Sequence, residues 1–312
     1  MKDKINENDM VMYDDEIDLK ELFLVILNKK IFIGVVTSTA LILSIIYSLS
    51  LSNIYTAQSL LAPVSQEDSL SSKLGNLSSI ASLGGFSLPS DGGSKTQEAI
   101  ERIRSFEFFS NYFLPNIKLE NIIASKKWIP KDDILIYDKK AFNKSANKWI
   151  RKVSYPKKLT PSHQEAYKVY KELMYITEDK KTSFITISMD HHSPVIAKKW
   201  VDIIIYQINE SMRKVDSDNA QKSISFLNKT VQSTNTQSLK EAIVKLLENQ
   251  TQILMLANSN EYYVLKIIDS PIIQEEKSKP SRSLICALGA LLGLILSTLT
   301  VLIQYYRKPS NA

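Results

Sequence analysis

Two long uncharged apolar segments constrain this chain more than any other feature of its sequence. Residues 31–51 and residues 284–303 contain no Asp, Glu, Lys or Arg over 21 and 20 residues. At about 1.5 Å of rise per residue, each forms a helix of roughly 30 Å, the thickness of the hydrocarbon core of a bilayer. Core helices of soluble proteins are seldom this long and this uniformly apolar. We therefore predict two transmembrane helices.

The first apolar segment has the features of an uncleaved anchor rather than of a signal peptide. It begins at Ile31 behind an acidic tail, is longer than the usual apolar region of a signal peptide, and ends without a clear A-x-A-like site. Lys29 and Lys30 precede this segment, and Arg307 and Lys308 follow the second one. Because basic residues concentrate on the cytoplasmic side, we predict that both termini are cytoplasmic.

The two spans divide the chain into five segments. The predicted segments are a cytoplasmic tail at 1–30, a transmembrane helix at 31–51, a periplasmic α/β domain at 52–283, a transmembrane helix at 284–303 and a cytoplasmic tail at 304–312. The tails carry −3 and +2 of a total charge of +6, which leaves +7 for the remainder. A basic domain of this kind can attract acidic glycans or phospholipid head groups, and a solvated surface with spare lysines is the simpler interpretation.

The periplasmic segment mixes strand-like and helix-like patterns. Alternating β-formers predict strands at residues 54–64, 183–189 and 262–268. Apolar spacing of three to four predicts helices elsewhere. The expected helices are 94–112, 115–125, 139–152 and 161–172, and residues 65–95, rich in Ser and Gly, are expected to form a loop with a short helix at 70–83.

A longer helical region is predicted from residue 194 to about residue 258. Ser193 and Pro194 supply the N-cap and first-turn residues of its first helix. Two stretches of 21 residues, 213–233 and 238–258, flank a polar break, which fits either a helical hairpin or one unbroken helix with another return path. The predicted fold class is an α/β (α+β) extracytoplasmic base domain with long projecting helices, flanked by two transmembrane helices.

We find no catalytic or metal-binding constellation in the sequence. One Cys and three His exclude a multi-cysteine zinc site and leave little for a His-rich centre. The phosphate-loop, zinc-protease and serine-hydrolase motifs are missing. His191 and His192 follow a strand and are interpreted as a polar turn, and Cys286 as a small apolar side chain. We predict no catalytic, cofactor-binding or metal-binding residues.

Small residues in the second span form a candidate packing site. Gly289, Gly293 and Ser297 recur every four residues, a pattern that lets a neighbouring helix approach closely in lipid. Gly34 and Ser38 in the first span are a plausible complement. Before the second span, Pro280 and Arg282 form a candidate membrane-entry motif, because Pro ends the preceding structure and Arg can extend to head groups. A simple helix start is the alternative.

Several segments, in this order, carry a resemblance that extends over nearly the whole chain. They are Ile17-Asp18-Leu19-Lys20-Glu21-Leu22, Tyr55-x-Ala57, Leu77 to Phe86 with Ser82-Leu83-Gly84-Gly85, Ser188-x-Asp190-x-His192-Ser193-Pro194-x-x-Ala197-x-x-Trp200, Ser223-Ile224-Ser225-Phe226-Leu227, Leu239-x-x-Ala242-x-x-x-Leu246-x-Glu248-x-Gln250 and Pro280-Ser281-Arg282-x-Leu284-Ile285. Together they resemble the Wzz-type chain-length determinants, the polysaccharide co-polymerases of bacterial envelopes.

The resemblance implies a function that composition does not show. It implies a two-pass protein of the bacterial inner membrane, not itself an enzyme, that sets the modal length of a surface polysaccharide such as an O-antigen-like lipopolysaccharide. It implies a homo-oligomeric ring, often octameric, with helices projecting into the periplasm. The implied partners are a separate polysaccharide polymerase in the membrane, the lipid-linked glycan and membrane lipids, with no cofactor and no nucleic acid.

Three other functions stay open at this point. The first is a polysaccharide export adaptor that works with a cytoplasmic tyrosine kinase, which we expect to be a separate chain because only nine residues follow Ile303. The second is a two-span sensor, which needs an output domain larger than the 30-residue N-terminal tail. The third is a membrane-anchored hydrolase, which needs a catalytic cluster.

Overall fold

The computed structural model describes residues 19–64, 92–259 and 261–307. The chain divides into an anchor unit, Met1–Leu51 with Pro280–Ala312, and an α/β unit, Ser52–Lys279. The loop and short helix expected between residues 65 and 91 lie outside the described residues, as does the Leu77–Phe86 motif.

The anchor unit contains three described helices. They are α1 Leu19–Asn28, α2 Lys30–Ser50 and, at the other end of the chain, α8 Arg282–Arg307. Both α2 and α8 are long and apolar enough to cross a membrane. Their bounds lie within four residues of the predicted spans at each end. Helix α1 was not predicted, and it occupies part of the segment expected to be a tail.

Strands of the α/β unit form a four-stranded antiparallel sheet and two small hairpins. In chain order the strands are β1 Tyr55–Pro63, β2 Ser125–Ile129, β3 Ile134–Tyr137, β4 Phe142–Asn143, β5 Lys148–Trp149, β6 Met174–Glu178, β7 Ile185–His191 and β8 Leu265–Asp269. The sheet has the order β6-β7-β1-β8. Alternate residues of β1, Ala57, Ser59 and Leu61, are buried, as expected for a strand with one face on a core.

Five helices cover this sheet or extend from it among the described residues. They are α3 Gly92–Arg104, α4 Leu119–Ile123, α5 His163–Leu173, α6 Pro194–Ser233 and α7 Gln237–Ser259, and short helical turns run from Phe106 to Asn116. Ser162 and Glu165 cap α5 reciprocally. The Ser193 hydroxyl accepts a hydrogen bond from the Ile196 amide, with Pro194 at the first position of α6.

An aromatic cluster fills the core between the sheet and the helices. The Tyr170 ring lies 5.0 Å from that of Phe109 and 4.9 Å from that of Phe113, between ring centroids. Trp200 of α6 is 1% exposed and meets Phe113 edge to face. Such pairs add directional attraction to the burial of large apolar surfaces. The first five turns of α6 are therefore part of the core.

The long helical region is a hairpin whose first arm is continuous. Helix α6 runs unbroken for 40 residues, about 60 Å, and α7 returns along it after the break at residues 234–236. Both geometries considered from the sequence are thus present in part: one long helix leaves the sheet, and a separate helix makes the return. In the part of α6 that follows Met212, all of which the structure describes, a single residue, Ala220, is buried.

Several short elements differ from the prediction. The helix expected over residues 139–152 is wrong, because β4 and β5 pair there and Asn147 adopts the left-handed conformation in the turn. The helix expected over 94–112 breaks at Ser105, whose backbone is extended and whose hydroxyl caps the next turn. The pair β2–β3 and strand β6 were not predicted.

Candidate functional site: polar junction, helical hairpin and membrane helix pair

A buried polar cluster lies where β7 ends and α6 begins. Asp190 is 3% exposed, and its two oxygens accept hydrogen bonds from the Thr56 hydroxyl at 2.5 Å and the Lys279 ammonium at 2.7 Å. Thr56 and Asp190 are register partners on β1 and β7. The contact with Asp190 raises the pKa of Lys279. Since a buried carboxylate is tolerated when it is paired and hydrogen-bonded, this contact compensates its charge.

His191 links three elements of the junction. Its Nδ1 accepts the Ser193 amide at 2.9 Å, so Nε2 carries the proton and donates to the Asn121 carbonyl at 3.0 Å. The ring also packs against Trp200, 4.7 Å between centroids. Burial lowers the pKa of His191 to about 4, so the ring is neutral at pH 7. With both nitrogens bound to backbone groups, the ring fixes β7, α4 and α6 together.

His192 points to a different partner from His191. Its Nδ1 lies 2.9 Å from the Asn53 carbonyl, at the start of the α/β unit. The polar turn expected from the sequence is therefore a pair of histidines that make separate structural contacts.

The two ends of the α/β unit are hydrogen-bonded to each other. The Ile54 amide donates to the Lys279 carbonyl at 3.0 Å, and the Ser278 amide donates to the Ile54 carbonyl at 2.9 Å. The Ser278 hydroxyl accepts the Thr56 amide at 3.0 Å. The chain therefore enters and leaves this unit at one place, beside Asp190.

A second buried polar group joins α6 to β8. Asn209 is 4% exposed, and its carbonyl oxygen accepts the backbone amides of Tyr263, Val264 and Leu265 at 2.8–3.1 Å. Its amide nitrogen donates to the carbonyls of Ile205 and Leu265. One side chain thus satisfies the backbone of the segment that returns from the hairpin, which fixes where that segment re-enters the sheet.

A polar group closes the base of the hairpin just beyond Asn209. The Tyr263 hydroxyl donates to Asp216 at 2.6 Å, and the Lys95 ammonium lies 2.7 Å from the same carboxylate and over the Tyr263 ring. Burial and the Asp216 contact raise the pKa of Tyr263. This group connects α3, α6 and the segment before β8.

The outer part of the hairpin leaves large apolar side chains in water. Phe226 on α6 is 67% exposed and Met255 on α7 is 66% exposed. Val244 and Met255 are separated by three helical turns and so share a face of α7. The other strongly exposed apolar residues of α7 are Leu239 and Leu246. These positions offer apolar contact area that the described residues of the chain leave exposed.

In the anchor unit, the small residues predicted to form a packing site face the first span. A Cβ placed on Gly289 would overlap Ser44, and one on Gly293 would lie 2.6 Å from the Ala40 Cβ. Ser297 is buried and its hydroxyl bonds the Leu294 carbonyl of its own helix. Gly34, the expected complement, has no heavy atom within 4 Å of such a Cβ. The complementary residues are Ala40 and Ser44 instead, with Thr37 beside them.

The residues of the candidate membrane-entry motif flank the start of α8. Pro280 precedes the helix, α8 begins at Arg282, and the Ile285 amide bonds the Ser281 carbonyl at 3.2 Å. Both Pro280 and Arg282 are half-buried. Their role at a membrane surface stays a prediction.

Sequence reasoning missed most of the buried polar contacts. The residues that it did not select are Thr56, Asn121, Asn209 and Lys279, and Asp190 was quoted as part of the family resemblance without a role. Asn209 alone carried a usable signal, because a polar residue inside the repeating Ile pattern of a helix implies a buried partner. Among the residues that the structure describes, no group of three or more His, Cys, Asp or Glu side chains could hold a metal ion.

Two family models match separate parts of the chain. The model described as Wzz, chain length determinant protein, matches residues 15–113, and the model described as GNVR, G-rich domain on putative tyrosine kinase, matches residues 228–306. No curated protein matches the chain. A solved full-length bacterial polysaccharide co-polymerase is similar at 13% identity and a TM-score of 0.42, over 95% of this chain and 100% of that one. Residues 15–113 of the chain are thus similar to the Wzz-type family of chain-length determinants.

Proposed function

We propose that this chain sets the modal length of a surface polysaccharide as a non-enzymatic, oligomeric scaffold in the bacterial inner membrane. The match of residues 15–113 to the Wzz model supports a role in chain-length determination. The scaffold mechanism, the separate polymerase and the lipid-linked glycan are our proposals. We also propose that both termini lie in the cytoplasm and the α/β unit in the periplasm; Lys29 and Lys30 before the first span support this orientation.

The observation that carries the scaffold proposal is the uncovered apolar surface of the hairpin. A side chain such as Phe226, 67% exposed on a helix far from the chain's own core, gains free energy when another surface covers it. A second copy of the chain presents the same hairpin, and lateral repetition of one contact closes into a ring. We propose a homo-oligomeric ring of eight subunits.

The buried junction supports this proposal by making the hairpin a rigid extension of the sheet. His191 accepts the Ser193 amide at the start of α6 and packs on Trp200, and Asn209 binds the segment that follows α7. Ring geometry depends on the angle between neighbouring subunits, so a scaffold needs a fixed angle between hairpin and sheet. The contacts of His191 and Asn209 hold both ends of the hairpin.

Deletion of the gene tests the function directly. Without this chain, we expect the surface glycan to lose its modal length distribution on a gel, and a plasmid copy should restore it. An unaltered ladder after deletion contradicts the function.

A second function is an export adaptor that works with a separate cytoplasmic tyrosine kinase. The observation that favours it is the match of residues 228–306 to a G-rich domain found on putative tyrosine kinases. Under this proposal, co-expression with the kinase changes its phosphorylation, and deletion of this chain reduces the amount of exported glycan without changing its length distribution. Loss of modal length at unchanged total glycan favours the scaffold.

A further inference from the structure

One segment of the α/β unit concentrates positive charge. Residues 125–159, here called the basic lobe, contain ten Lys and one Arg against three Asp, a net charge of +8 in a chain whose total is +6. The lobe comprises the hairpins β2–β3 and β4–β5 and the loop that follows them. All ten lysine side chains are exposed.

Most of the positive charge of the basic lobe has no ion-pair partner among the described residues; Glu165, which pairs with Arg151, also interacts electrostatically with Lys157. No carboxylate of a described residue lies within 4.0 Å of any of the ten ammonium groups, and the ion pair of the lobe is that of Arg151 with Glu165. Asp133 accepts the Trp128 indole N–H, and Asp138 accepts a backbone amide. The lobe therefore presents a positive field that favours an anionic partner.

Large apolar side chains lie among these lysines. Tyr155 is 97% exposed, Leu159 58%, Ile150 47% and Ile134 43%. The loop carrying Tyr155 is held closed, because the Arg151 guanidinium donates to the carbonyl of Leu159 at 2.7 Å while it pairs with Glu165. Tyr155 is thus presented to solvent by a braced loop.

The mixture of side chains distinguishes between two kinds of anionic partner. A soluble acidic glycan offers negative charge but no apolar interior for Ile150 or Leu159. The interfacial region of a bilayer offers both: phosphates for Lys, the head-group level for Tyr, and acyl chains for aliphatic side chains. The combination favours an anionic phospholipid surface.

The connectivity of the chain keeps the basic lobe within reach of a membrane. The Trp128 ring of β2 packs edge to face on Tyr55, 5.4 Å between centroids. Tyr55 follows Leu51, the end of the first predicted span, by four residues, which extend over at most about 14 Å. The lobe is therefore attached to the part of the sheet that lies nearest in sequence to the span.

We propose that the basic lobe binds the anionic lipid surface of the bilayer that holds α2. Tyr155 lies at the level of the head groups, and Lys152, Lys157 and Lys158 contact phosphates. This contact gives the α/β unit an attachment to the membrane in addition to its covalent links to α2 and α8. It does not depend on the ring or on the polymerase.

A fluorescent probe beside Tyr155 tests the proposal in the full chain. Ser154→Cys, in a Cys286→Ser background, is labelled with an environment-sensitive dye and reconstituted in nanodiscs of phosphatidylcholine alone or with about one-third phosphatidylglycerol. We expect blue-shifted emission and quenching by a lipid-borne spin label in the anionic discs, with a loss of both in high salt. Equal quenching in both discs, or none in either, contradicts the proposal.

Neutralising variants separate lipid binding from other effects. We expect the combined variant Lys152→Gln, Lys157→Gln and Lys158→Gln to bind the anionic membrane surface more weakly. The equilibrium constant for binding of the basic lobe to this surface should fall roughly fivefold for each lysine that is replaced. The matched control is the same change at three exposed α6 positions, Lys214, Lys222 and Lys229, which should leave quenching unchanged.

Two further measurements keep the test decisive. Tyr155→Ser retains every charge and should weaken quenching by itself, so it tests the contact if the triple variant does not fold. Soluble polygalacturonate added to the neutral discs should leave the probe unaffected. A response to this polymer as large as that to anionic lipid identifies a glycan-binding surface and overturns the lipid proposal.

Discussion

The two halves of α6 belong to one unbroken helix but differ in what covers them. Residues 194–212 contribute Trp200, Ile204 and Ile208 to the core, all 1% exposed or less. Residues 213–233 contribute Ala220 to the buried set and expose Phe226 to water. The inner half is positioned by contacts within the chain. The outer half packs on α7 and still leaves Phe226 exposed, and we propose that this apolar surface contacts another copy of the chain.

The largest expected effect of a single substitution lies in the inner half. Trp200→Ala removes a buried ring that contacts Phe113 and His191, and we expect it to destabilise the α/β unit by about 4 kcal/mol. The matched control, Phe226→Ala in the outer half, should cost less than about 0.5 kcal/mol. Urea unfolding of the full chain in detergent measures both. Similar losses of unfolding free energy at the two positions would contradict the contrast between a buried inner half and an exposed outer half of α6.

A second test replaces a buried polar residue rather than an apolar one. Asn209→Ala leaves three backbone amides of residues 263–265 without their acceptor, and we expect a loss of about 3 kcal/mol. Asn228→Ala, at an exposed position of the outer half, is the control and should be nearly neutral. The same unfolding measurement applies. A neutral Asn209→Ala would show that the return of the hairpin is fixed elsewhere.

The inner half should also make stability depend on pH. The folded pKa of His191 is about 4, below the ordinary 6.5, so between these values the unfolded chain binds more protons than the folded one. Stability should therefore fall as pH decreases from 6.5 to 4, by about 3 kcal/mol over the whole interval. Unfolding at a series of pH values measures the slope. His191→Phe should be less stable at pH 7 and show a flatter profile, and an unchanged profile would exclude His191 as its source.

The contrast between covered and uncovered positions also exists in the anchor unit. Gly293→Leu forces a side chain against Ala40 of α2, and we expect a loss of about 2 kcal/mol in the pairing of α2 with α8. Gly34→Leu meets no neighbouring atom and serves as the control. Disulfide trapping between cysteines introduced on the two helices reports the pairing. Equal trapping in both variants would contradict the close contact.

The sequence contained enough information for the long elements and for the start of the hairpin. Uncharged length alone predicted the long apolar helices α2 and α8, and the order Ser193-Pro194 predicted the first turn of α6, since both signals are local. The hairpins β2–β3 and β4–β5 were not predicted, because strands this short are defined by their pairing partners rather than by their own sequence pattern. Asp133 and Asn147 adopt the left-handed backbone conformation in the turns of these hairpins. Because neither residue is a glycine, the sequence did not indicate these turns.

The candidate sites were predictable to a smaller extent. Gly289 and Gly293 were selected from their spacing, but their partners Ala40 and Ser44 were not, because an apolar span has several small residues on different faces. Thr56 and Asp190 are 134 residues apart, and the register of β1 on β7 brings them together. A contact of this kind depends on the folded sheet and has no local sequence signal.

The most direct test of the central claim uses the uncovered face of the hairpin. Phe226→Asp should change the stability of the α/β unit by less than about 0.5 kcal/mol, because the ring is exposed in the single chain. In the full-length protein, the same change should reduce the oligomer size measured by native mass spectrometry and shift the modal length of the surface glycan. An unchanged oligomer with an unchanged glycan distribution would contradict the account.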